Sequence, residues 1–274
     1  MKGRGKVREM IKQEFNVSIL ETDNYTIVKA YKKPILVPDN RGKTGIRGQA
    51  QDKFKSVYNS LKRAKKSIYE YAIANQWDLW GTLTLDKVKI NRYDIDEIQK
   101  TLTIYLMNKR ISYRGLKWLI VPENHKDGAW HFHLLLTGLP YEELRDIGKT
   151  YKDTGRKMFN WINYEQNFGW NSFIDIADMP LDEMYKISNY LTKYMTKDVG
   201  ALRFNKKKYW SSRGLKRPNK TNKLLTYEEY VDLMQLESGF IDDIILQNEY
   251  SFKDKVTGEI RNTVTETVKM NLPF

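Results

Sequence analysis

Two apolar runs joined by a short polar loop constrain the fold of this 274-residue chain more than any other feature. LKWLIVPE (116–123) and AWHFHLLL (129–136) flank a loop that contains Asp127-Gly128, a pair that favours a tight turn. The pattern predicts a β-hairpin. Side chains alternate across a strand, so His131 and His133 share one face, roughly 6–7 Å apart along it. Trp130, Phe132, Leu134 and Leu136 take the opposite face, toward a core. With the turn centred on Asp127, Glu123 falls opposite His131. Two imidazoles and a carboxylate with open positions suit a hard divalent cation that also binds phosphate oxygens. His125, in the loop, is a weaker alternative ligand. These three are the only histidines in the chain. Two histidines that merely fill a sheet face are the competing reading.

The remaining periodicities surround this hairpin with helices and further strands. Phe54, Val57, Leu61, Ala64, Ile68 and Tyr71 recur at spacings of three and four, which predicts a helix over 52–75. Lys55, Lys62, Arg63, Lys65 and Lys66 lie off that stripe, as a solvated face or as DNA contacts. LWGTLTL (79–85) alternates as a strand, and Ile95, Ile98, Leu102, Tyr105 and Leu106 predict a helix over 93–109. SFIDIAD (172–178) reads as another strand. A helix over about 181–198 is entered through Pro180 and Asp182 and stops near Gly200. Elements in this mixed order predict an α+β fold with an antiparallel sheet.

The last of these helices carries a second constellation, Tyr190-x-x-Lys193-Tyr194-x-x-Lys197. These four residues share one helical face. The core stripe of Met184, Ile187, Leu191 and Met195 lies roughly a third of a turn away. A phenol, with a pKa of about 10, needs a nearby cation or metal to attack as phenolate, and lysines one turn away supply charge. The two tyrosines rise about 6 Å along the axis, so both can reach one site. Aromatic edge packing with snorkelling lysines is the bland alternative.

Charge points to the partner. The formal net charge of +13 is that of a chain that meets a polyanion, nucleic acid first among them. Between Ala201 and Leu224 there are nine Lys or Arg and no Asp or Glu, whereas Leu225–Phe274 carries 10 acidic against 4 basic residues. The basic stretch suits a groove for single-stranded DNA, where cations track phosphates and rings stack on bases. Lys206, Lys207, Lys208, Tyr209, Trp210, Arg213, Lys216 and Arg217 are its candidate contacts. The domain expectation is an N-terminal extension (1–45), an endonuclease domain (46–221) and an acidic C-terminal appendage (222–274). The absence of cysteine excludes disulfides, thiolate catalysis and cysteine-based zinc sites. No signal-peptide core and no membrane-length apolar run is present, so the expected location is the cytoplasm, with no membrane partner. Gly42-Lys43-Thr44 ends like a phosphate-binding loop, but Val37 stands where its first glycine belongs. No helicase motor is expected, and unwinding falls to another protein.

Glu123, then His131-Phe132-His133, then Tyr190-x-x-Lys193-Tyr194, in that order, resemble the HUH endonuclease superfamily. Its name describes two histidines around a bulky hydrophobic residue. Thr82-Leu-Thr84 resembles that superfamily's first motif. The doubled tyrosine is similar to gene A type replication endonucleases of small single-stranded DNA phages, and to the related replication-associated proteins of filamentous phages and plasmids. The resemblance covers roughly residues 50–217. It implies a central antiparallel sheet that carries the histidines, flanked by helices, one of which bears the catalytic tyrosines. It implies a rolling-circle replication initiator that nicks and joins single-stranded origin DNA, a hairpin being one form such an origin can take. Mg²⁺ or Mn²⁺ would be bound by Glu123, His131 and His133. Tyr190 and Tyr194, aided by Lys193 and Lys197, would form a 5′-phosphotyrosine bond and leave a 3′-hydroxyl. The setting it implies is a bacterial cytoplasm, with host helicase and polymerase as partners. A double-tyrosine transposase of the same superfamily and a non-catalytic basic nucleic-acid-binding protein are the other readings.

Overall fold

A computed structural model describes residues 11–23, 26–38, 52–193, 207–230, 232, 241–253 and 260–270. For 11–12, 32–33, 38, 181–182, 241–253 and 260–270 it describes the backbone alone. In chain order the first elements are β1 (Ile11–Glu21), β2 (Thr26–Pro38), α1 (Lys53–Ile73), β3 (Leu79–Thr84), α2 (Ile95–Ser112), β4 (Lys117–Asn124) and β5 (Trp130–Thr137). A 3-10 turn at Tyr141–Glu143 leads to β6 (Leu144–Thr150), β7 (Lys157–Trp161), α3 (Ile162–Asn167), β8 (Asn171–Asp175) and α4 (Leu181–Lys193). β9 (Trp210–Ser211), β10 (Asn219–Lys223), β11 (Ile241–Lys253) and β12 (Ile260–Met270) follow. The chain divides into two compact units, one of Ala50–Arg217 and one of Met1–Gln49 with Pro218–Phe274.

The unit Ala50–Arg217 is α+β. Its seven-stranded sheet has the order β6-β7-β8-β3-β5-β4-β9, and every neighbouring pair is antiparallel. Alternation gives this sheet two apolar faces. On one, Leu79 and Leu83 of β3, Trp118 and Ile120 of β4, and Phe132, Leu134 and Leu136 of β5 pack with Ile98, Leu102 and Leu106 of α2. On the other, Leu119, Val121 and Leu135 pack with Leu61, Ala64, Ile68 and Ala72 of α1 and with Ile187 and Leu191 of α4. The expected stripe of α1 is buried from Leu61 onward, while Phe54 in its first turn is 84% exposed. Asp52 caps α1 by accepting from the Lys55 amide, and Asp94 caps α2 by accepting from the Asp96 and Glu97 amides. Acids in the first turn of α2 and Lys109 and Arg110 in its last complement the helix dipole.

One glycine fixes the centre of the sheet. A Cβ on Gly81 would lie 2.2 Å from the Ser172 carbonyl oxygen and 2.5 Å from the Phe173 ring. β3 and β8 therefore approach more closely than a side chain permits. The short β9 adds the 207–213 segment to the sheet edge: Ile120 pairs with Trp210, and Ser212 exchanges hydrogen bonds with the Trp118 backbone. The expected helix 181–198 is described as far as Lys193; Met195 and the stop near Gly200 lie outside the described residues. So does the Gly42-Lys43-Thr44 tract.

The other unit joins the two ends of the sequence. β1 pairs antiparallel with β2 and with β10, and β11 pairs with β12. Val17, Ile19 and Val28 form its small core, with Leu225 and Tyr230 packed against it. The Asn16 side chain donates to the Leu225 carbonyl and accepts from the Leu225 amide, at 2.7 and 2.8 Å. Among the described residues no helix is long and apolar enough to cross a membrane.

Candidate metal centre and tyrosine site

The β4–β5 hairpin brings the ligand candidates together in the register its turn dictates. Glu123 pairs with His131, and Gly128, at φ +84°, adopts the backbone that the tight turn requires. The His125 amide donates to the Ala129 carbonyl and the Gly128 amide to the His125 carbonyl, closing the loop. Arg92 reaches across to Asp127 at 3.1 Å and anchors the turn from outside.

Four ligand atoms converge. Glu123 Oε2 lies 3.0 Å from His131 Nε2 and 2.7 Å from His133 Nε2, and the two nitrogens are 3.3 Å apart. His125 Nε2 is a further 3.3 Å from His131 Nε2. Ligands about 2.1 Å from a divalent ion stand roughly 3.0–3.4 Å from one another in octahedral or tetrahedral arrangements, so these spacings fit such an ion. Glu123, His125 and His131 are placed to hold a metal ion, and His133 meets the same carboxylate oxygen from the next outward position along β5.

The electrostatics favour the same occupant. Burial above all, then the neighbouring His133 and His125, pushes His131 down to about 4, with Glu123 pulling the other way. Burial, then His125, pushes His133 down to about 4. Both imidazoles are therefore neutral at pH 7, the form that ligates metal. Thr82 Oγ1 lies 3.3 Å from His133 Nδ1. With the Nδ1 proton held there, the Nε2 lone pair faces the Glu123 carboxylate, an arrangement that a cation stabilises. Thr82 pairs with His133 and Thr84 with His131 across β3 and β5.

Tyr190 belongs to the same site. It is half-buried on α4, and its ring stands 5.3 Å from His133 and 5.3 Å from Trp80, nearly perpendicular to both. A pocket of about 70 Å³ beside it is lined by Trp80, Thr82, Tyr151 and Ser172 among others. Lys193 is exposed. Tyr194 and Lys197 lie outside the described residues. Tyr185, also on α4, is buried, and Tyr69 donates to its hydroxyl at 2.8 Å, which makes it a packing residue.

The expected DNA contacts separate into groups. Lys207, Lys208, Tyr209 and Arg213 line a groove at the β9 edge. Trp210 is only 7% exposed and packs its ring on Phe132 at 5.2 Å, so its ring belongs to the core. Arg217 is held by Glu70 and Ser67 and lies over the Tyr71 ring. The Lys216 backbone exchanges hydrogen bonds with the Asn75 side chain. Lys206 lies outside the described residues. Sequence reasoning did not assign Thr82 to His133; the alternation of Thr82 and Thr84 opposite the histidines is the signal that finds it.

No curated protein and no solved structure matches the chain significantly. Residues 78–199, from just before β3 through α4, match the model of a family of replication-associated proteins, the ORF2 type. The matched segment contains Thr82, Glu123, all three histidines and Tyr190, and the match supports a role in the initiation of replication.

Proposed function

We propose that this chain starts rolling-circle replication of a phage or plasmid by nicking and rejoining single-stranded DNA at an origin, with tyrosine as nucleophile. The observation that carries this reading is the placement of the Tyr190 ring 5.3 Å from His133, whose Nε2 is 2.7 Å from Glu123. A packing tyrosine has no need of a metal-ligand cluster at its edge.

The Tyr190 oxygen attacks the scissile phosphorus, forming a P–O bond to the phenol as the bond to the 3′ oxygen breaks. The phenolic proton is lost and the departing oxygen takes one up. The products are a 3′-hydroxyl and a 5′-phosphotyrosine. Because one phosphodiester is exchanged for another, attack by a free 3′-hydroxyl restores the strand without nucleotide. A divalent ion held by Glu123, His131 and His133, Mg²⁺ or Mn²⁺, would supply positive charge to the phosphate oxygens. Thr82 orients His133 through Nδ1, and Trp80 packs its ring against Tyr190, limiting the directions the phenol can take. Lys193 follows Tyr190 by three residues, on the same helical face. Tyr194 and Lys197 repeat the pair one turn on, and the two tyrosines act in alternation, so that the second attacks the regenerated origin after one round. Residues 46–221 carry this chemistry, flanked by the segments 1–45 and 222–274. Host helicase and polymerase unwind and extend the DNA.

The test is incubation of the full chain with a single-stranded origin oligonucleotide and Mn²⁺. A covalent protein–DNA product is expected, lost with chelator and in His131→Ala and His133→Ala. Undiminished nicking by the double alanine variant would remove the metal from the mechanism.

A further inference from the structure

A groove of about 720 Å³ lies at the sheet edge formed by β9. Its cations come from two separate stretches of sequence, Arg63 on α1 and Lys207, Lys208 and Arg213 around β9. α2 adds Gln99 and Thr103, and Tyr209 contributes a half-buried ring. No aspartate or glutamate lines the groove among the described residues. A site for a small apolar ligand is mostly hydrophobic with a few polar groups. Here the order is reversed: positive charge and neutral hydrogen-bonding groups dominate, and nothing opposes an anion. The volume takes a few nucleotides of one strand and not a duplex.

We infer that this groove is a second DNA contact, one that grips the sugar-phosphate backbone of single-stranded DNA away from the scissile phosphate. The inference rests on the DNA-processing reading above and adds the place where the strand is held. Arg63 and the β9 cations meet successive phosphates, and Gln99, Thr103 and Tyr209 face sugars and bases. The groove is near enough to act on the same strand. Ile120 of β4 pairs with Trp210, and Glu123 stands three residues further along β4, about 10 Å away. A strand seated in the groove is thereby tethered beside the metal centre. A cut end can be retained there until it is rejoined. The basic residues of α1 also divide by role: Arg63 faces the groove, whereas Lys66 pairs with Glu70 at 3.4 Å within the helix.

The test uses the full chain and a single-stranded oligothymidine probe in chelator, so that binding is measured without cleavage. Each phosphate contact contributes about 0.7 to the salt slope for single strands. Changing Arg63, Lys207 and Arg213 together to alanine should reduce that slope by about 2, and the triple charge-preserving variant R63K, K207R, R213K should keep it. A photo-crosslinking residue at Thr103 should capture the probe, and one at Thr150, on β6 at the far side of the sheet, should not. An unchanged slope in the alanine variant, or no crosslink at position 103, overturns the groove. A slope that falls as expected in a protein that forms no tyrosine adduct would sink the nicking reading and leave the groove standing.

Discussion

Thr82→Val tests whether His133 is held ready to ligate. The hydroxyl lies 3.3 Å from His133 Nδ1 in a site where the imidazole is only 4% exposed, so water does not readily replace it. Valine keeps the shape and removes the partner. The buried Nδ1–H then loses its acceptor, or the proton moves to Nε2 and blocks the ligand atom. A neutral hydrogen bond is worth about 1 kcal/mol net, and 3.3 Å is long for one, so the cost falls at or slightly below that figure. Since about 1.4 kcal/mol is tenfold, metal affinity should weaken roughly three- to tenfold. That is the low end of the range for partners behind a metal-bound histidine. Electron paramagnetic resonance of free Mn²⁺ reads the affinity directly, with no DNA and no turnover. Thr82→Ser should bind as the parent does. Affinity unchanged within twofold in Thr82→Val, or an equal loss in Thr82→Ser, would refute the role given to the hydroxyl.

Gly81→Ala should destabilise the sheet by about 3 kcal/mol or more, since its Cβ meets a backbone oxygen at 2.2 Å that cannot rotate away; a melting temperature near the parent's would contradict the close approach of β3 and β8. In chelator, stability should fall as pH drops from about 6.5 toward about 4. His131 and His133 are held near 4 in the fold against 6.5 unfolded, so the unfolded chain binds more protons across that window. Melting curves at pH 7, 5.5 and 4.5 should show a smaller loss in the double glutamine variant of these histidines, and an equal loss would show that other groups set the acid limit. Nicking and joining should proceed equally with and without ATP; ATP-driven strand separation by the pure chain would reveal a motor.

The features legible in the sequence are those whose cause is local. Asp127-Gly128 fixes the turn, the turn fixes the register, and period-two alternation then places Glu123, His131 and His133 together. α2 is equally legible, because Ile95, Ile98, Leu102 and Leu106 are all buried as their spacing predicts. What escapes a local reading depends on distant segments. β6 exposes most of its length, and its half-buried Leu144 and Ile147 are three apart, with a register shift against β7, so no period of two survives. β1 pairs with β10 from the opposite end of the chain, a choice that no local pattern announces. Trp210 sits among cations in sequence, yet β9 pairing turns its ring onto Phe132. The approach of His125 to His131 depends on how the hairpin loop folds back, which spacing alone leaves open.

The most direct measurement of the central claim is the chemical identity of the protein–DNA bond. After reaction with single-stranded origin DNA and Mn²⁺, the linked peptide is digested and sequenced by mass spectrometry. The account predicts a 5′-phosphate esterified to Tyr190 or Tyr194, some adduct in each single phenylalanine variant, and none in the double variant. Linkage at any other residue, a 3′-phosphate attachment, or an adduct that persists in the double variant would contradict it.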